Sequence, residues 1–355
     1  MLEAGVNLSD LEHFISLGKA VSSSTAVTVV ANLKEREPND VHDVQTEYLN
    51  QNELDEITSG FREAGYHTDA FIDEIEFVKW LSAGRWRSSG YRCHAVYSLA
   101  QRGTSAGRHA FVPAAASLVG MTLLTSDPYF DCLCHHKFHA STLLQSAGLN
   151  VPRTWLFDAR TGWANSREPD AGLRVIAKPN FESASVGVEK DSVFDFGGDE
   201  VLRLSKLAEA LQQSILVQEF ISGWEIEVPV LSGKDAFALD PIGVSFGPSL
   251  QMGDRIVDHS AAYEGAYHLF DFGKSEPQHS EALRRSAAHA AVVLGVAGIA
   301  RIDFRMSSSG KAYIMDMTGQ PHLSRQSSVA VSFAMLGFGY SDIFSAMVGI
   351  AASRG

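Results

Sequence analysis

Two segments near the C-terminal end carry the densest chemistry of the chain, ARIDFRM at residues 300–306 and AYIMDMT at residues 312–318. Each alternates apolar and polar residues, the period of a strand, and the Ser307 to Gly310 stretch between them has the composition of a tight turn. The two read as a hairpin that brings Asp303 close to Asp316. Alternation puts Arg301 and Asp303 on one face, and Asp316 and Thr318 do the same on the returning strand. Two carboxylates and a hydroxyl make a hard-oxygen site suited to Mg²⁺, which takes one or two carboxylates and leaves the rest to water and phosphate oxygens. A guanidinium beside them would offset charge on a transferring phosphoryl group or a tetrahedral oxyanion. On an isolated strand the same residues would be only a solvated face with a salt bridge, so the segments upstream decide.

Lys178 closes the strand-like VIAKP and is followed by the small-residue loop 183–187, SASVG. A lysine beside such a loop can set an ammonium and several backbone N–H groups against phosphate oxygens. Farther on, QEFI at residues 218–221 reads as an edge segment whose backbone could pair with an adenine. Glu225 follows at a spacing that could reach a ribose hydroxyl. In this order, ahead of the R-x-D hairpin, the segments reinforce one another as a nucleotide site.

The elements that must position these residues fall into two textures. Through the first third, strand-like runs at 26–32, 67–72, 93–99 and 121–125 alternate with helical patterns at 47–64 and 112–119. That is a βαβ arrangement and predicts an open parallel sheet with helices on both faces. After Asp127 the pattern predicts a long helix over 131–147 with Gly148 as its stop. Strands follow at 153–157, 174–179, 186–190 and 215–217, with a helix over 201–214, and then at 225–231, 300–306 and 312–317. Residues 159–172, rich in Gly, Asn, Ser and Pro, read as a surface loop.

This order of motifs resembles the ATP-grasp superfamily and, within it, the D-alanine–D-alanine ligase family, from about Val96 onward. The matching pieces are VYSLA with the later RHAFVPA, LTSDP, Lys137 and the GLNVPRT that follows it, the K-P-x-x-E-x-x-S-x-G-V loop, G-x-E-I-E-V, D-x-x-x-A-x-Y at 258–263, ARIDF, and the turn at 337–340. The resemblance implies an α/β and α+β ATP-grasp fold: an N-terminal parallel-sheet domain over 1–125, a central subdomain over 126–217 and a catalytic subdomain over 218–355. It implies that Lys137 and Lys178 hold nucleotide phosphates, Glu182 braces the small loop and Ser185 contributes to it. Gln218, Glu219 and Ile221 would line the adenine pocket and Glu225 would hold the ribose. Asp303, Asp316 and Thr318 would bind Mg²⁺, as one or two ions, and Arg301 would stabilise the tetrahedral intermediate. Ser327 falls where the family contacts the second substrate's carboxylate, and Tyr263 on the loop that closes over the site. The implied reaction joins a carboxylate to an amine through an acyl phosphate, with ATP consumed.

The departures cluster at the substrate end. The family's metal-binding E-x-N is Asp316-x-Thr318 here, its P-G is Pro321-His322, and Ala262 stands where it carries a phosphate-contacting lysine. His322 could crowd the backbone approach that Gly allows, act as a general base, or touch substrate. The family's E-x-E-V-S-L glutamate, which receives the first amino acid's ammonium, has no clear counterpart after the first strand, although Glu35 and Glu37 lie nearby. Residues 1–25 are unmatched. These changes point away from a D-alanine dipeptide and toward another amino- or carboxylate-bearing small molecule. Closure of a ring within one substrate uses the same chemistry, and a nucleotide-binding regulatory relative is the remaining alternative.

Composition sets the outer bounds. A formal charge of -13 leaves no basic patch for nucleic acid. No run of about 18 apolar residues predicts a membrane span. The N-terminal residues lack the apolar core of a signal peptide, and three cysteines cannot form a secreted-type disulfide framework, so a reducing, cytoplasmic compartment is expected. A homodimer is left open. Cys132, His135, His136 and His139 would share a helix face as zinc ligands might; the alternative is a linker helix with partly buried Cys and surface His.

Overall fold

In a computed structural model, which describes residues 8–36, 41–198 and 200–354, with Val44 and Tyr263 described by backbone alone, the first apolar run becomes the strand Thr25–Ala31. It is buried along its whole length, as an inner strand must be. His67–Phe71 and Cys93–Leu99 flank it, and the short Thr122–Leu123 lies outside Cys93–Leu99, all in parallel. The helix expected from residue 47 begins instead at Gln51 (Gln51–Glu63), because Asn50 and Glu53 form a reciprocal capping box there. The residues before it, Val44–Glu47, make a single 3₁₀ turn, which frees Glu47 to point elsewhere.

A second sheet is antiparallel, in the order Gly162–Trp163, Thr154–Asp158, Ile215–Glu219, Arg174–Pro179, Val193–Asp195. The strand expected at 186–190 is not formed; its place beside Arg174–Pro179 is taken by Val193–Asp195. Ala184 and Ser185 adopt left-handed φ values of 47° and 58°, and Gly187 follows at 72°, so the chain coils tightly here. A Cβ on Gly187 would lie 2.6 Å from the Pro179 ring, which is why glycine ends this turn.

The third sheet runs His268–Asp271, Ile242–Ser245, Trp224–Ser232, Gly298–Met306, Ala312–Thr318, with Ala236–Ala238 also pairing with Trp224–Ser232. The anticipated hairpin is its outer pair, with Asp303 opposite Asp316 and Arg301 opposite Thr318. The helix expected over 131–147 is broken. Pro128–His135 and Lys137–Ser146 meet at His136, whose φ of -96° and ψ of 78° leave the helical region. The cause is Asn180, at the end of the second sheet's inner strand. Its carbonyl accepts from Lys137 N and its side-chain oxygen from Phe138 N, so the second helix starts against that strand.

The unmatched N-terminal stretch contains the helix Leu8–Val21, packed across the last helix, Tyr340–Ser353. The crossing is close because it is made at glycines: a Cβ on Gly18 would lie 1.9 Å from Ser345 O, and one on Gly349 the same 1.9 Å from Phe14 O. Backbone cannot yield as a side-chain tip can. Gly349→Ala is therefore expected to destabilise the fold by about 2–3 kcal/mol, read as a lowered urea midpoint at unchanged slope. An unshifted midpoint would mean that the helices do not cross so closely. Among the described residues no single helix is long and apolar enough to cross a membrane.

Candidate active site

The three sheets surround one cavity of about 520 Å³. Its wall includes Lys137, Lys178, Glu182, Ser185, Glu225, Arg301, Asp303, Asp316, Thr318 and His322 from the sequence reading. Residues from Lys137 to His322 in sequence are thus gathered by one helix start, the strands Arg174–Pro179, Trp224–Ser232, Gly298–Met306 and Ala312–Thr318, and two loops.

Charge is organised in pairs along the Gly298–Met306 strand. Glu227 lies opposite Asp303 on the neighbouring strand, and Asp316 opposite it on the other side. Three carboxylates side by side repel, and Arg301 and Lys137 answer them. Arg301 grips Asp303 with two bonds of 2.7 Å, and its third nitrogen lies 3.4 Å from Glu227. Lys137 Nζ is 2.6 Å from Asp316 Oδ2. Arg305, directly opposite Glu225, bonds it at 2.9 Å and donates to the carbonyls of Ile221, Arg255 and Gly253.

These partners set the proton affinities. Enclosure lifts the Asp303 carboxyl to about 6 even with Arg301 attached. For Asp316 the same enclosure is outweighed by the ammonium groups of Lys137 and Lys178, so its carboxyl is held below the usual range. Burial pushes Lys178 down and Glu225 up. Lys178 Nζ also donates to Met315 O at 3.3 Å, which ties it to the Ala312–Thr318 strand.

The other anticipated residues divide between the cavity wall and its surroundings. Gln218 belongs to an inner strand, not an edge: it pairs with Thr154 on one side and Ile176 on the other and is fully buried. Glu219 turns outward to Arg153, 2.9 Å away. Neither they nor Ile221 line the cavity; Phe220, between them, does, together with Ile176, Val188 and Ile256. Phe220 is the first residue past the strand Ile215–Glu219, so its direction is not set by that strand's alternation. Ser327 caps the helix Ser328–Met335 by accepting from Ala330 N, and it is not on the cavity wall. Thr318 accepts from Gln320 N, and Ser185 donates to Val257 O. Tyr263 lies in the helix His259–Glu264, and its side chain is outside the described part. Glu37 also lies outside the described residues, and Glu35 is not part of the cavity wall. His322 faces the cavity with Nε2 3.4 Å from Glu53 Oε1. The four suggested zinc ligands separate at the helix break: His135 faces the cavity, whereas His136 and His139 stack on each other. No three His, Cys, Asp or Glu converge on a metal position among the described residues.

Several cavity residues had no role in the sequence reading, among them Glu47, His109 and Gln320. Glu47 reaches the wall from the 3₁₀ turn, held by Arg108 at 3.1 Å; Arg108 also grips Glu182 at 2.9 Å. His109 and His135 stack at 3.4 Å, with Gln320 beside His109. Arg108 and His109 lie inside the quoted motif RHAFVPA, where nothing marks them as more than helix-start residues.

A cavity in which lysines, an arginine and strand-borne carboxylates converge between two antiparallel α+β units, beside an N-terminal parallel sheet, is the architecture of an ATP-grasp enzyme. Residues 143–349 match the family described as D-ala D-ala ligase C-terminus, and the chain belongs to that family. The D-alanine–D-alanine ligase of Neisseria meningitidis serogroup B is 26% identical over 289 residues, which is 81% of this chain and 88% of that protein. That of Nitrosospira multiformis is 28% identical over 247 residues, 69% of this chain and 76% of that one. Among solved structures, the D-alanine–D-alanine ligase from Bacillus anthracis complexed with ATP aligns with a TM-score of 0.65 at 13% identity, covering 92% of this chain and 97% of that chain. The VanG D-Ala:D-Ser ligase from Enterococcus faecalis aligns with a TM-score of 0.64 at 14% identity, covering 92% and 99%. At such identities the structural likeness speaks for the fold.

Proposed function

We propose that the chain is an ATP-dependent ligase that activates a small carboxylate as an acyl phosphate and joins it to an amine. The observation that carries this reading is the convergence of Lys137, Lys178, Arg301, Asp303 and Asp316 on one cavity. In this reading the apolar wall of Ile176, Val188 and Phe220 receives the adenine, and Glu225, fixed by Arg305, receives the ribose. Lys137 and Lys178 hold phosphate oxygens at the cavity's cationic end. Asp303 and Asp316 suit Mg²⁺, as one or two ions: they are hard oxygen donors in cross-strand register, and each already draws a side-chain cation. Thr318, beside Arg301, would add a neutral oxygen. The ion would supply charge neutralisation at the transferring phosphoryl group.

The chain's own groups do the rest. The lysines align the terminal phosphate with the substrate carboxylate, which is the larger part of phosphoryl-transfer catalysis. Arg301 keeps a guanidinium where the tetrahedral oxyanion forms when the amine attacks. The loop residues 183–186, with Ile256, Val257 and Ala262, line the same cavity and would shield the acyl phosphate from water. His322, on the cavity wall next to Glu53, would contact the second substrate.

The test is ADP and phosphate release over amino acids and small carboxylates, singly and in pairs. A requirement for two substrates is expected. Turnover with one compound alone whose product is a ring formed within that compound, not a dimer of it, would replace the reading by ring closure, and nucleotide binding with no turnover across the panel would remove it.

A further inference from the structure

Resting on the ligase reading, the structure also bears on how the attacking amine loses its proton. An aliphatic amine reaches the cavity at neutral pH as an ammonium, whose nitrogen has no lone pair until a base takes a proton from it. Three histidines stand on the cavity wall, His109, His135 and His322. His109 and His135 are buried and stack on each other at 3.4 Å. The side chain of His322 is 42% exposed, so its imidazole is the most open to a ligand.

Glu53, also on the wall, faces that imidazole. It lies in the first turn of the helix Gln51–Glu63, where its Oε2 accepts from Asn50 N at 2.7 Å and its Oε1 is 3.4 Å from His322 Nε2. The capping box thus fixes the carboxylate that the histidine meets. The chain around the histidine is held as firmly. Tyr97 donates to Pro321 O at 3.3 Å, Tyr340 to Leu323 O, and Arg325 N to Glu56 Oε2 at 2.9 Å. A carboxylate beside Nε2 favours the tautomer with its proton there and leaves the Nδ1 lone pair for a substrate. The reacting end is close: Thr318, four residues earlier, pairs with Arg301, and the Arg301 guanidinium acts on the His322 ring. Enclosure is the main cause that lowers the proton affinity of this ring. Glu53 and Glu56 oppose it, while Lys34 and Arg301 add to it, so the ring is neutral at neutral pH, as a base must be.

We propose that the acceptor enters as an ammonium and that His322 is the base that deprotonates it, with Glu53 as the residue that positions the imidazole. The ammonium gives one proton to His322 Nδ1, and Glu53 stabilises the imidazolium that forms. The freed nitrogen lone pair bonds to the carbonyl carbon of the acyl phosphate. The C–O bond to phosphate then breaks with its electron pair going to phosphate, which takes the second nitrogen proton, and the imidazolium returns its proton to solvent. Formation of the acyl phosphate precedes all of this and does not use the pair.

Hydroxylamine separates the roles, because it is a weak base that is already neutral at pH 8 and needs no proton removed before it attacks. Wild type, His322→Gly and Glu53→Gln are compared at pH 8 with Mg²⁺, ATP and small carboxylic acids. The acceptor is hydroxylamine in one series and methylamine or an α-amino acid of either hand in the other. For His322→Gly the ratio of amide to hydroxamate, each as kcat, is expected to fall about a hundredfold, and added imidazole to restore part of it. Glu53→Gln, which can still cap the helix, is expected to lower the same ratio about tenfold. His322→Asn, closer in size, should match the glycine variant without the rescue, and thermal unfolding checks that each variant is folded. Amide and hydroxamate falling together in folded variants, or a raised KM for the amine at unchanged kcat, overturns the proposal and leaves the ligase reading standing. Hydroxamate from the wild type with no amide from any amine does the same. No hydroxamate, amide or ADP from the wild type with any acid counts against both.

Discussion

Replacing Asp303 by asparagine is expected to lower ADP release about a thousandfold or more with whichever substrates the enzyme accepts. The residue sits between Glu227 and Asp316 on adjacent strands and is the carboxylate that Arg301 grips with two bonds. Asparagine keeps the shape but removes the charge, so a cation at the pair would be held by Asp316 alone. Arg301 would keep only Glu227, 3.4 Å away, and lose the orientation that two parallel bonds impose. Stability should change little, because the like-charge crowding of three neighbouring carboxylates is relieved as the ion pair is lost. Steady-state ADP release together with thermal unfolding checks both halves. Turnover above a tenth of wild type, with the fold intact, would take Asp303 out of the metal site.

Much of this centre was legible because it obeys short-range rules. The hairpin follows from alternation, and alternation also fixes which side chains share its face. Lys178 and its loop follow from a strand end and a run of small residues. What stayed hidden depends on distant partners. The break at His136 is made by Asn180, a residue of another sheet whose carbonyl and side chain take the first N–H groups of the following helix. Without that break Lys137 would continue a helix and would not begin one against Asp316. The hinge was read as an edge because QEFI leaves a strand, yet Gln218 is paired on both sides and Phe220 alone turns inward. Arg108 and Glu47 are far apart in sequence, and each looks like an ordinary surface charge until the fold buries it against Glu182. Local pattern names the catalytic strand, and tertiary pairing names the substrate wall.

That division bears on how the family's departures act. On the proposed catalytic face, Thr318 is placed directly across from Arg301 and Asp316 across from Asp303. Ala262 supplies no charge to the wall it lines. Lys137 brings a cation to the same wall, and Arg108 holds the wall residues Glu47 and Glu182. A change at those two positions therefore reaches both the fold and the chemistry.

Arg108→Met is the second substitution with a large expected effect, a loss of about 3–5 kcal/mol in unfolding free energy at neutral pH. Removing the guanidinium leaves Glu47 and Glu182 facing each other in a buried place with no counter-charge. The loss should depend on pH, and its sign follows from proton linkage. In the wild type the Glu182 carboxyl is raised from its ordinary 4.5 to about 7 by burial and by Glu47. The folded state thus holds a proton that the unfolded state has released between those values, and this group's contribution to stability falls as pH rises through that window. Arg108 is what keeps the shift from being larger, since its charge favours the ionised form. Without it the folded-state proton affinity climbs further, and the window of declining stability extends upward. Urea unfolding at pH 5 and pH 8 should therefore show a larger gap between variant and wild type at pH 8. Adding Glu182→Gln to Arg108→Met should recover most of that extra loss, because the glutamine needs no counter-charge and can still receive the Gln213 amide. Equal losses at both pH values, or no recovery in the double variant, would mean that the two carboxyls do not share one buried charge.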